Sequence, residues 1–296
     1  MINLNSFLLA AGLLLFGFGL SAQNTVYGGF KAGINFATMD GPFALGSNGE
    51  ELESFSYTTG FHVGVNFNVN LTDYFGLRGE IIYGQKGAEY DFNGQSFLPF
   101  YQADGMGSLI ASGTRNTLIS ITHTYLDLPV SAFIRFGRLE LSGGLALGVL
   151  LSSRAVGEVK FTGVSPQGEN VNNIVFIVDG NYSDKNPFDA NNSVNAEEIR
   201  IDGTRVSLPE LIGTYYDNPN ADKSLFNTLD ASVQGGLSFY LNQGLFLSFK
   251  GYYGLSDVTR NEADYSVMEL NNDQSLIFKS DDDKNITLQA SVGFHF

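Results

Sequence analysis

The 296-residue chain contains no cysteine and no tryptophan, and only three histidines. The missing cysteine excludes a disulfide framework, a thiolate metal site and a lipidated amino-terminal cysteine. Beyond the first 22 residues no stretch reaches 18 uninterrupted apolar residues, so a membrane protein built of helices is excluded as well. The chain is instead rich in Gly, Phe and Tyr, with 35, 25 and 14 copies, a composition that indicates an all-β protein.

The amino-terminal segment has the features of an export signal. Residues 7–20 form an apolar run that is followed by the small residues Ser21 and Ala22 and then by Gln23. A run of this length is too short to cross about 30 Å of hydrocarbon as a helix. We therefore expect a signal peptide over residues 1–22 and a mature chain that begins at Gln23, although no Lys or Arg precedes the apolar run.

The last twelve residues alternate strictly between apolar and small or polar side chains. The apolar positions are Ile286, Leu288, Ala290, Val292, Phe294 and Phe296. A period of two gives a strand one dry face and one wet face. A strand that ends on an aromatic residue is what outer-membrane barrels present to the barrel assembly machinery. Because a bilayer tolerates no open sheet edge, this strand must pair, and we expect its partner to be the first strand.

Similar alternation recurs along the chain and predicts eight strands. They are expected at residues 26–39, 61–71, 75–86, 119–136, 139–151, 229–241, 245–253 and 285–296. The connections alternate between short (72–74, 137–138, 242–244) and long (about 40–56, 91–118, 153–227, 256–284), as periplasmic turns and extracellular loops do. The predicted fold is a monomeric, eight-stranded antiparallel transmembrane β-barrel in the lipid of the outer membrane, with four long extracellular loops and both mature termini in the periplasm.

The acidic charge of the chain is concentrated in the four long connections. The four long connections hold 25 of the 31 acidic and 10 of the 16 basic residues, which is the whole net charge of −15. An acidic outer surface argues against nucleic acid and is compatible with a basic partner or divalent cations. Oxygen ligands for calcium could come from the run 281–283, or from Asp217 with Asp222. Neither set has the spacing or glycine of a known calcium loop, so we expect solvated acidic turns and neither metal nor cofactor.

The inward positions of the predicted strands carry charged side chains of both signs. These are Lys31, Arg78, Glu80, Lys86, Asp127, Arg135, Glu140, Asp230 and Lys250. Arg135 and Glu140 flank one turn and are expected to be cross-strand neighbours. Such residues could line a gated polar path, or they could form ion pairs that satisfy buried charge in a narrow bore. The second interpretation is favoured, and the recurrent inward glycines fit it because they leave room for long side chains.

Enzymatic activity has little support in the sequence. A hydrolase would need a nucleophile and a base near the outer rim, and the histidines are His62, His123 and His295, with no G-x-S-x-G elbow. His62 with Asp127, or His123 with a loop serine, could contribute to such a site. His295 is expected at the periplasmic end, so no catalytic residue is assigned.

The connection over residues 153–227 is expected to carry the function. Within it, residues 159–164 and 173–178 have the pattern of a hairpin, and residues 208–217 that of a short helix. A structured connection of this length indicates a surface that binds a partner rather than a tether. On this reading, a short linker in place of residues 160–222 would leave the barrel able to assemble. The alternative is that its aromatic residues simply pack a small cap; these are Phe176, Phe188, Tyr215, Tyr216 and Phe226.

Several short motifs together resemble the PorT-like outer-membrane β-barrel family common in Bacteroidetes. They include Gly33-Ile34-Asn35-Phe36, Gly60-Phe61-His62-Val63-Gly64, Tyr125-Leu126-Asp127-Leu128-Pro129 and Tyr252-Tyr253-Gly254-Leu255, and others lie on the remaining strands in order. The resemblance implies an outer-membrane barrel but no single activity. The expected role is non-enzymatic recognition, or an accessory role in a cell-surface complex. The alternatives are a narrow channel, a component of a secretion apparatus and, least favoured, a membrane-embedded hydrolase.

The assembly role of the final strand leads to a prediction. Deletion of residues 294–296 removes Phe294 and Phe296, so it should abolish the heat-modifiable electrophoretic migration of the protein in outer-membrane fractions. Shortening the acidic connection 256–284 is the control and should preserve that migration. Normal heat-modifiability after the terminal deletion would show that the last strand does not direct assembly.

Overall fold

The computed structural model describes residues 26–46, 48–102, 108–181, 198–207, 225–262 and 264–296. Regular structure in these ranges consists of β-strands, and no helix in them is long and apolar enough to cross a membrane. The predicted signal peptide and the predicted helix at residues 208–217 lie outside the described residues.

The described residues form fourteen strands, numbered in chain order. Their bounds are β1 Val26–Asp40, β2 Glu53–Ser56, β3 Thr58–Asn70, β4 Phe75–Gln102, β5 Ser108–Phe136, β6 Leu139–Val164, β7 Asn170–Asn181, β8 Glu198–Ile201, β9 Thr204–Ser207, β10 Leu229–Tyr240, β11 Leu245–Gly254, β12 Tyr265–Leu270, β13 Leu276–Phe278 and β14 Lys284–His295. The strands β4, β5 and β6 are the longest, at 28, 29 and 26 residues.

The strands pair along a path that returns to its start. The order is β3, β1, β14, β11, β10, β6, β5, β4, and β3 also pairs with β4. The predicted pairing of the last strand with the first is confirmed, since β14 lies antiparallel to β1 with Phe294 opposite Phe30. Val26, where the described residues begin, the carboxyl-terminal Phe296 and the short connections at 71–74, 137–138 and 241–244 lie at one end of this ring, here called the terminal end.

Near the terminal end, the outside of the ring is apolar and the inside is polar. On β14, Leu288 and Val292 face outward and are about half exposed, while Thr287, Gln289 and Ser291 face inward and are buried. The same division holds on β1, where Phe30 and Ile34 face out and Lys31 and Asn35 face in. Outward apolar side chains on every strand of the ring form a continuous apolar belt, which is the surface that a hydrocarbon environment requires.

The polarity reverses where β4, β5 and β6 continue beyond the belt. On β4 the outward residues Glu89, Asp91, Asn93 and Gln95 are exposed, and the inward residues Tyr90, Phe92, Leu98 and Phe100 are buried. The outer face of this part is therefore suited to water, and the inner face to a hydrophobic core. The extensions of β4, β5 and β6 beyond Lys86, His123 and Ser153, together with β2, β7, β8, β9, β12 and β13, are here called the cap.

A β-bulge in β6 lies at the boundary between belt and cap. Tyr125 of β5 is opposite Leu150, whereas Thr124 is opposite Ser152, so Leu151 is the extra residue. Below the bulge β6 buries its even-numbered residues, such as Glu140 and Ala146, and above it the odd-numbered residues, such as Ala155 and Phe161. An extra residue shifts the phase of a period-two strand by one position. The bulge therefore changes which side chains of β6 face inward.

The cap has a hydrophobic core of its own. It consists of Tyr90, Phe92, Phe97, Leu98, Phe100, Ala111, Ile119, Ile121, Ala155, Val159, Phe161, Val171, Val178, Ile201, Val206, Leu225, Phe226, Val258, Tyr265 and Val267. The β12–β13 hairpin contributes Tyr265 and Val267, and the Ser96 hydroxyl donates a hydrogen bond to the Val267 carbonyl. Glu53 of β2 joins the same region by accepting from Tyr90 at 2.8 Å and pairing with Lys279 at 3.2 Å.

The structure corrects two expectations about the long connections. Residues 91–118, expected to be a loop, mostly belong to β4 and β5. These two strands pair from Tyr101 opposite Ser108 to Phe75 opposite Ile134. Residues 153–227 are not one loop either, because they include the upper half of β6 together with β7, β8 and β9. The predicted hairpin is confirmed, with Val159 opposite Phe176. Since Phe161, Val171, Val178, Ile201 and Val206 are core residues, replacing residues 160–222 would disrupt the cap.

Candidate functional site

The inside of the ring is crossed by three groups of ion pairs. All nine charged residues that the sequence predicts to face inward lie in these groups, and eight of the nine are at most 4 % exposed as whole residues. Each group contains one residue of β4, namely Arg78 in the first, Glu80 in the second and Lys86 in the third. The three groups are therefore stacked along β4 from the terminal end toward the cap.

The first group is centred on Glu140, whose side chain is fully buried. Arg78 Nη2 lies 2.8 Å from Oε1 of Glu140, and Arg135 Nη2 lies 2.7 Å from Oε2. The Tyr240 hydroxyl also donates to Oε2 at 2.9 Å. Arg135 and Glu140 are direct cross-strand neighbours, as expected from the turn that they flank. The carboxylate of Glu140 is thus held by charged and neutral donors from three strands besides its own.

The second group joins opposite walls of the ring. Glu80 of β4 pairs with Lys31 of β1 at 3.1 Å and with Lys250 of β11 at 2.5 Å. Along the pairing path, β4 and β11 are four steps apart in either direction. The contact between Glu80 and Lys250 therefore spans the whole width of the bore at this level.

The third group lies next to the cap and has the opposite balance of charge. Lys86 pairs with Asp127 at 2.9 Å and with Asp230 at 3.3 Å, so one cation faces two carboxylates. The amide of Asn285 donates a hydrogen bond to Asp230 at 3.0 Å. Removing one partner from a buried group of this kind costs about 3–5 kcal/mol, because the remaining charge loses its compensation.

Two glycines provide the space that these side chains occupy. A Cβ at Gly148 would lie 2.5 Å from Oδ1 of Asp127, and a Cβ at Gly236 would lie 2.6 Å from Cγ of Lys250. Both distances are shorter than real Cβ contacts, so any larger residue would displace the ion pairs. These positions agree with the expectation that inward glycines leave room for long side chains across the bore.

A Ser–His–Asn arrangement lies inside the ring between the second and third ion-pair groups. Nε2 of His62 is 2.8 Å from the Ser291 hydroxyl, and Nδ1 is 2.7 Å from Oδ1 of Asn35. The partners of His62 are therefore Ser291 and Asn35, and not Asp127, which the unfavoured hydrolase alternative would require. The three residues are at most 6 % exposed, and Ser291 lies within a strand that pairs on both sides, opposite Gly33 and Ser248. Their hydrogen bonds satisfy buried polar groups on three adjacent strands.

The other two histidines are also inside the protein. His123 is fully buried where the bore meets the cap core, and its ring centroid is 4.4 Å from that of Phe226. Neither of its ring nitrogens has a hydrogen-bond partner among the described residues, so the alternative of a pair with a loop serine is not seen there. His295 lies at the terminal end, where it packs against Phe246 at 4.6 Å.

Acidic residues of the cap approach one another below its surface. Burial raises the pKa of Asp264 to about 8, and the neighbouring carboxyl of Asp281 adds to that shift. Burial likewise raises the pKa of Asp283 to about 6. Asp283 is thus buried rather than part of a solvated turn, which corrects the expectation for this residue. Among the residues that the structure describes, no group of three or more His, Cys, Asp or Glu side chains has the geometry of a metal site.

Comparison with known proteins identifies the family. The family described as "Outer membrane protein beta-barrel domain" matches residues 21–260. No curated protein matches the sequence. Similar solved structures include Ail of Yersinia pestis, with 11% identity, a TM-score of 0.35 and coverage of 91% of this chain and 98% of that chain.

Two further solved structures show the same low level of similarity. OprG of Pseudomonas aeruginosa has 11% identity and a TM-score of 0.32, with 91% of this chain and 96% of that chain covered. The outer membrane protease OmpT of Escherichia coli has 8% identity and a TM-score of 0.29, with 95% and 99% covered. The assignment rests on the family match, which covers most of the chain. The protein belongs to the outer membrane protein β-barrel domain family.

Proposed function

We propose that this protein is a non-enzymatic outer-membrane barrel with a closed bore, and that its cap recognises another molecule outside the cell. The observation that carries the proposal is the separate hydrophobic core of the cap, above a bore crossed by three ion-pair groups. A cap that is folded around its own core offers a defined surface. A bore filled by paired charges, in contrast, leaves no open path for solutes.

The proposal includes a specific topology. The eight strands of the pairing path form the membrane barrel, with the short turns and both mature termini in the periplasm and the cap outside the cell. Residues 1–22 act as the signal peptide, and Phe294 and Phe296 present the barrel to the assembly machinery. The barrel is monomeric and PorT-like, and it needs neither metal nor cofactor.

The main alternatives are weaker on specific grounds. A channel would need a continuous path past Glu80 and Lys250, which meet across the full bore. A hydrolase based on Ser291 and His62 would need a route for substrate to residues that are almost entirely buried. A role in a secretion apparatus has no residue in this chain to support it beyond the resemblance to the PorT-like family.

Conductance tests the closed bore. Because charges of opposite sign neutralise one another across a small diameter, the purified protein in planar bilayers should show no stable open-channel conductance. The variant Lys250→Ala with Glu80→Ala removes the pair across the bore and should produce small, frequent openings. A matched variant with Leu288→Ala changes only the outer belt and should remain silent. A steady nanosiemens-scale pore in the wild-type protein would favour the channel alternative.

Site-specific cross-linking on intact cells tests recognition by the cap. A photoreactive phenylalanine analogue at Thr114 lies on the outer face of the cap, whereas the same residue at Val130 lies in the apolar belt. The cap position should give a discrete protein adduct, and the belt position should give lipid adducts only. Identical adduct patterns at the two positions would remove the distinction between cap and belt on which the proposal depends.

A further inference from the structure

The two ion-pair groups nearest the terminal end hold more positive than negative charge. Their carboxylates are Glu80 and Glu140, and their cations are Lys31, Arg78, Arg135 and Lys250. The third group, with one cation and two carboxylates, offsets only half of this excess of two. The nine charged residues that face into the bore, five cations and four carboxylates, therefore carry a net charge of +1.

Water compensates little of the excess charge. Lys31, Arg78 and Lys250 are at most 4 % exposed. Arg135 differs from them because its side chain is 26 % exposed, at the mouth of the ring. A buried charge is stable only when it is paired, so the excess on the terminal side calls for a further anion.

Other carboxylates of the chain do not provide this anion. Asp73 and the carboxyl-terminal Phe296 lie at the terminal end, but both residues are exposed. Residues 1–25, which precede β1, contain no Asp or Glu. The other segments outside the described residues connect strand ends on the cap side of the ring. The counter-ion therefore has to come from solution.

A relay of side-chain amides leaves one N–H donor in this part of the bore. Nε of Arg78 donates a hydrogen bond to Oδ1 of Asn68 at 2.5 Å, and Nδ2 of Asn68 donates to Oδ1 of Asn66 at 2.6 Å. Because arginine has donors only, the first bond fixes the orientation of both amides. Asn66 is 1 % exposed, and its Nδ2 has no hydrogen-bond partner among the described residues.

Lys31 places positive charge beside this donor. Asn66 lies opposite Glu80 in the pairing of β3 with β4, and Glu80 contacts Lys31 through Oε1 and Lys250 through Oε2. Both oxygens of Glu80 thus face a lysine, and neither accepts from Asn66. Nζ of Lys31 lies 3.1 Å from Glu80 but lacks the geometry of a hydrogen bond, so its N–H groups are available to another acceptor.

A glycine allows these groups to approach one another. Gly29 of β1 pairs with Asn66 on one side and with His295 on the other, and Lys31 is the next residue of β1 on the same face. A Cβ at Gly29 would lie 2.9 Å from Oδ1 of Asn66 and would press against the ring of His295. Nε2 of His295 is buried and has no hydrogen-bond partner in the described part of the chain. Three nitrogens from three adjacent strands thus surround one position without a side chain.

We propose that the bore binds one small monovalent anion, with chloride as the matching ion, between the first and second ion-pair groups. Nζ of Lys31 and Nδ2 of Asn66 are its direct donors. One such anion brings the net charge of the bore to zero. A large oxyanion does not fit between walls that Glu80 and Lys250 bridge directly. A water molecule accepts the same hydrogen bonds but leaves the charge uncompensated. The site does not depend on recognition by the cap, because it lies at the other end of the ring.

The test compares sodium chloride with sodium gluconate, whose anion is too bulky for the bore, at equal ionic strength and therefore equal screening. The readout is the temperature midpoint of the heat-modifiable band shift of the full-length protein in detergent micelles. We expect a higher midpoint in chloride, because an ion that binds only the folded state lowers the unfolding equilibrium constant about tenfold at about ten times its dissociation constant. Equal midpoints in the two salts are the result expected of water at the site, and they would overturn the proposal.

Two variants locate the effect. Asn66→Asp puts a carboxylate in place of the anion, so its midpoint should be the same in both salts. Asn93→Asp is the matched control, because it adds the same charge on the exposed outer face of β4, and it should keep the full difference between the salts. A salt difference in Asn66→Asp as large as that of the wild type, or loss of the difference in Asn93→Asp, would contradict binding at this site.

A direct measurement decides the matter if Asn66→Asp does not assemble. Crystals of the wild-type protein grown in bromide should give an anomalous-scattering peak within hydrogen-bonding distance of Nζ of Lys31 and Nδ2 of Asn66. No peak there, or a peak only elsewhere in the bore, would overturn the proposal. Each of these outcomes leaves the proposed recognition by the cap in place.

Discussion

Backbone N–H and C=O groups in hydrocarbon or in a protein interior have no water to bond, so neighbouring strands there must exchange hydrogen bonds. In this protein β4, β5 and β6 meet that requirement over more than 25 residues each while their surroundings change. Backbone pairing is continuous from the belt to the cap. What changes is whether the apolar or the polar side chains face outward. Within the belt, Leu and Phe face outward and ionic residues face inward. In the cap the arrangement is reversed, and the bulge at Leu151 resets the phase of β6 where the reversal occurs.

The reversal explains why the bore and the cap have different interiors. In the belt, the inside of the ring must hold charged and polar groups, and the narrow diameter brings them together as the pairs around Glu140, Glu80 and Lys86. In the cap, the polar side chains face outward, where water can hydrate them. The inside then holds apolar side chains such as Phe92 and Phe161. His123 and Phe226 meet at the junction of these two interiors. The cap is thus a folded unit that shares its strands with the barrel.

The sequence predicts the belt well because the alternation there is that of a membrane strand, with apolar residues outward and polar residues inward. The pairing of β14 with β1, the inward positions of Lys31 and Lys250, and the turn between Arg135 and Glu140 all follow from alternation. Residues 88–100 also alternate, because the polar residues Glu89, Asp91 and Asn93 alternate with Tyr90 and Phe92. Their outward side chains are polar, so the alternation there lacks the apolar outer face that marks a membrane strand, and the sequence predicts a loop from residue 91.

Contacts between distant strands could not be predicted from alternation. The sequence places Glu80 on the inside, but its contact with Lys250 depends on how the ring closes and how the strands are staggered. The sequence leaves open a contact of His62 with Asp127, but the register places His62 beside Ser291 and Asn35. Similarly, the raised pKa of Asp264 depends on its burial and on Asp281, which is 17 positions away in sequence.

Accessibility along β4 and β5 tests the reversal of polarity most directly. The chain has no cysteine, so single cysteines can carry a spin label without background. Labels at Ile81 and Val130 should collide with oxygen more often than with a water-soluble nickel chelate, because both positions face lipid. Labels at Glu89 and Asn116, farther along the same two strands, should show the opposite preference. Lipid-like accessibility at Glu89 and Asn116 would contradict the account, because it would place the apolar environment around the cap as well as the belt.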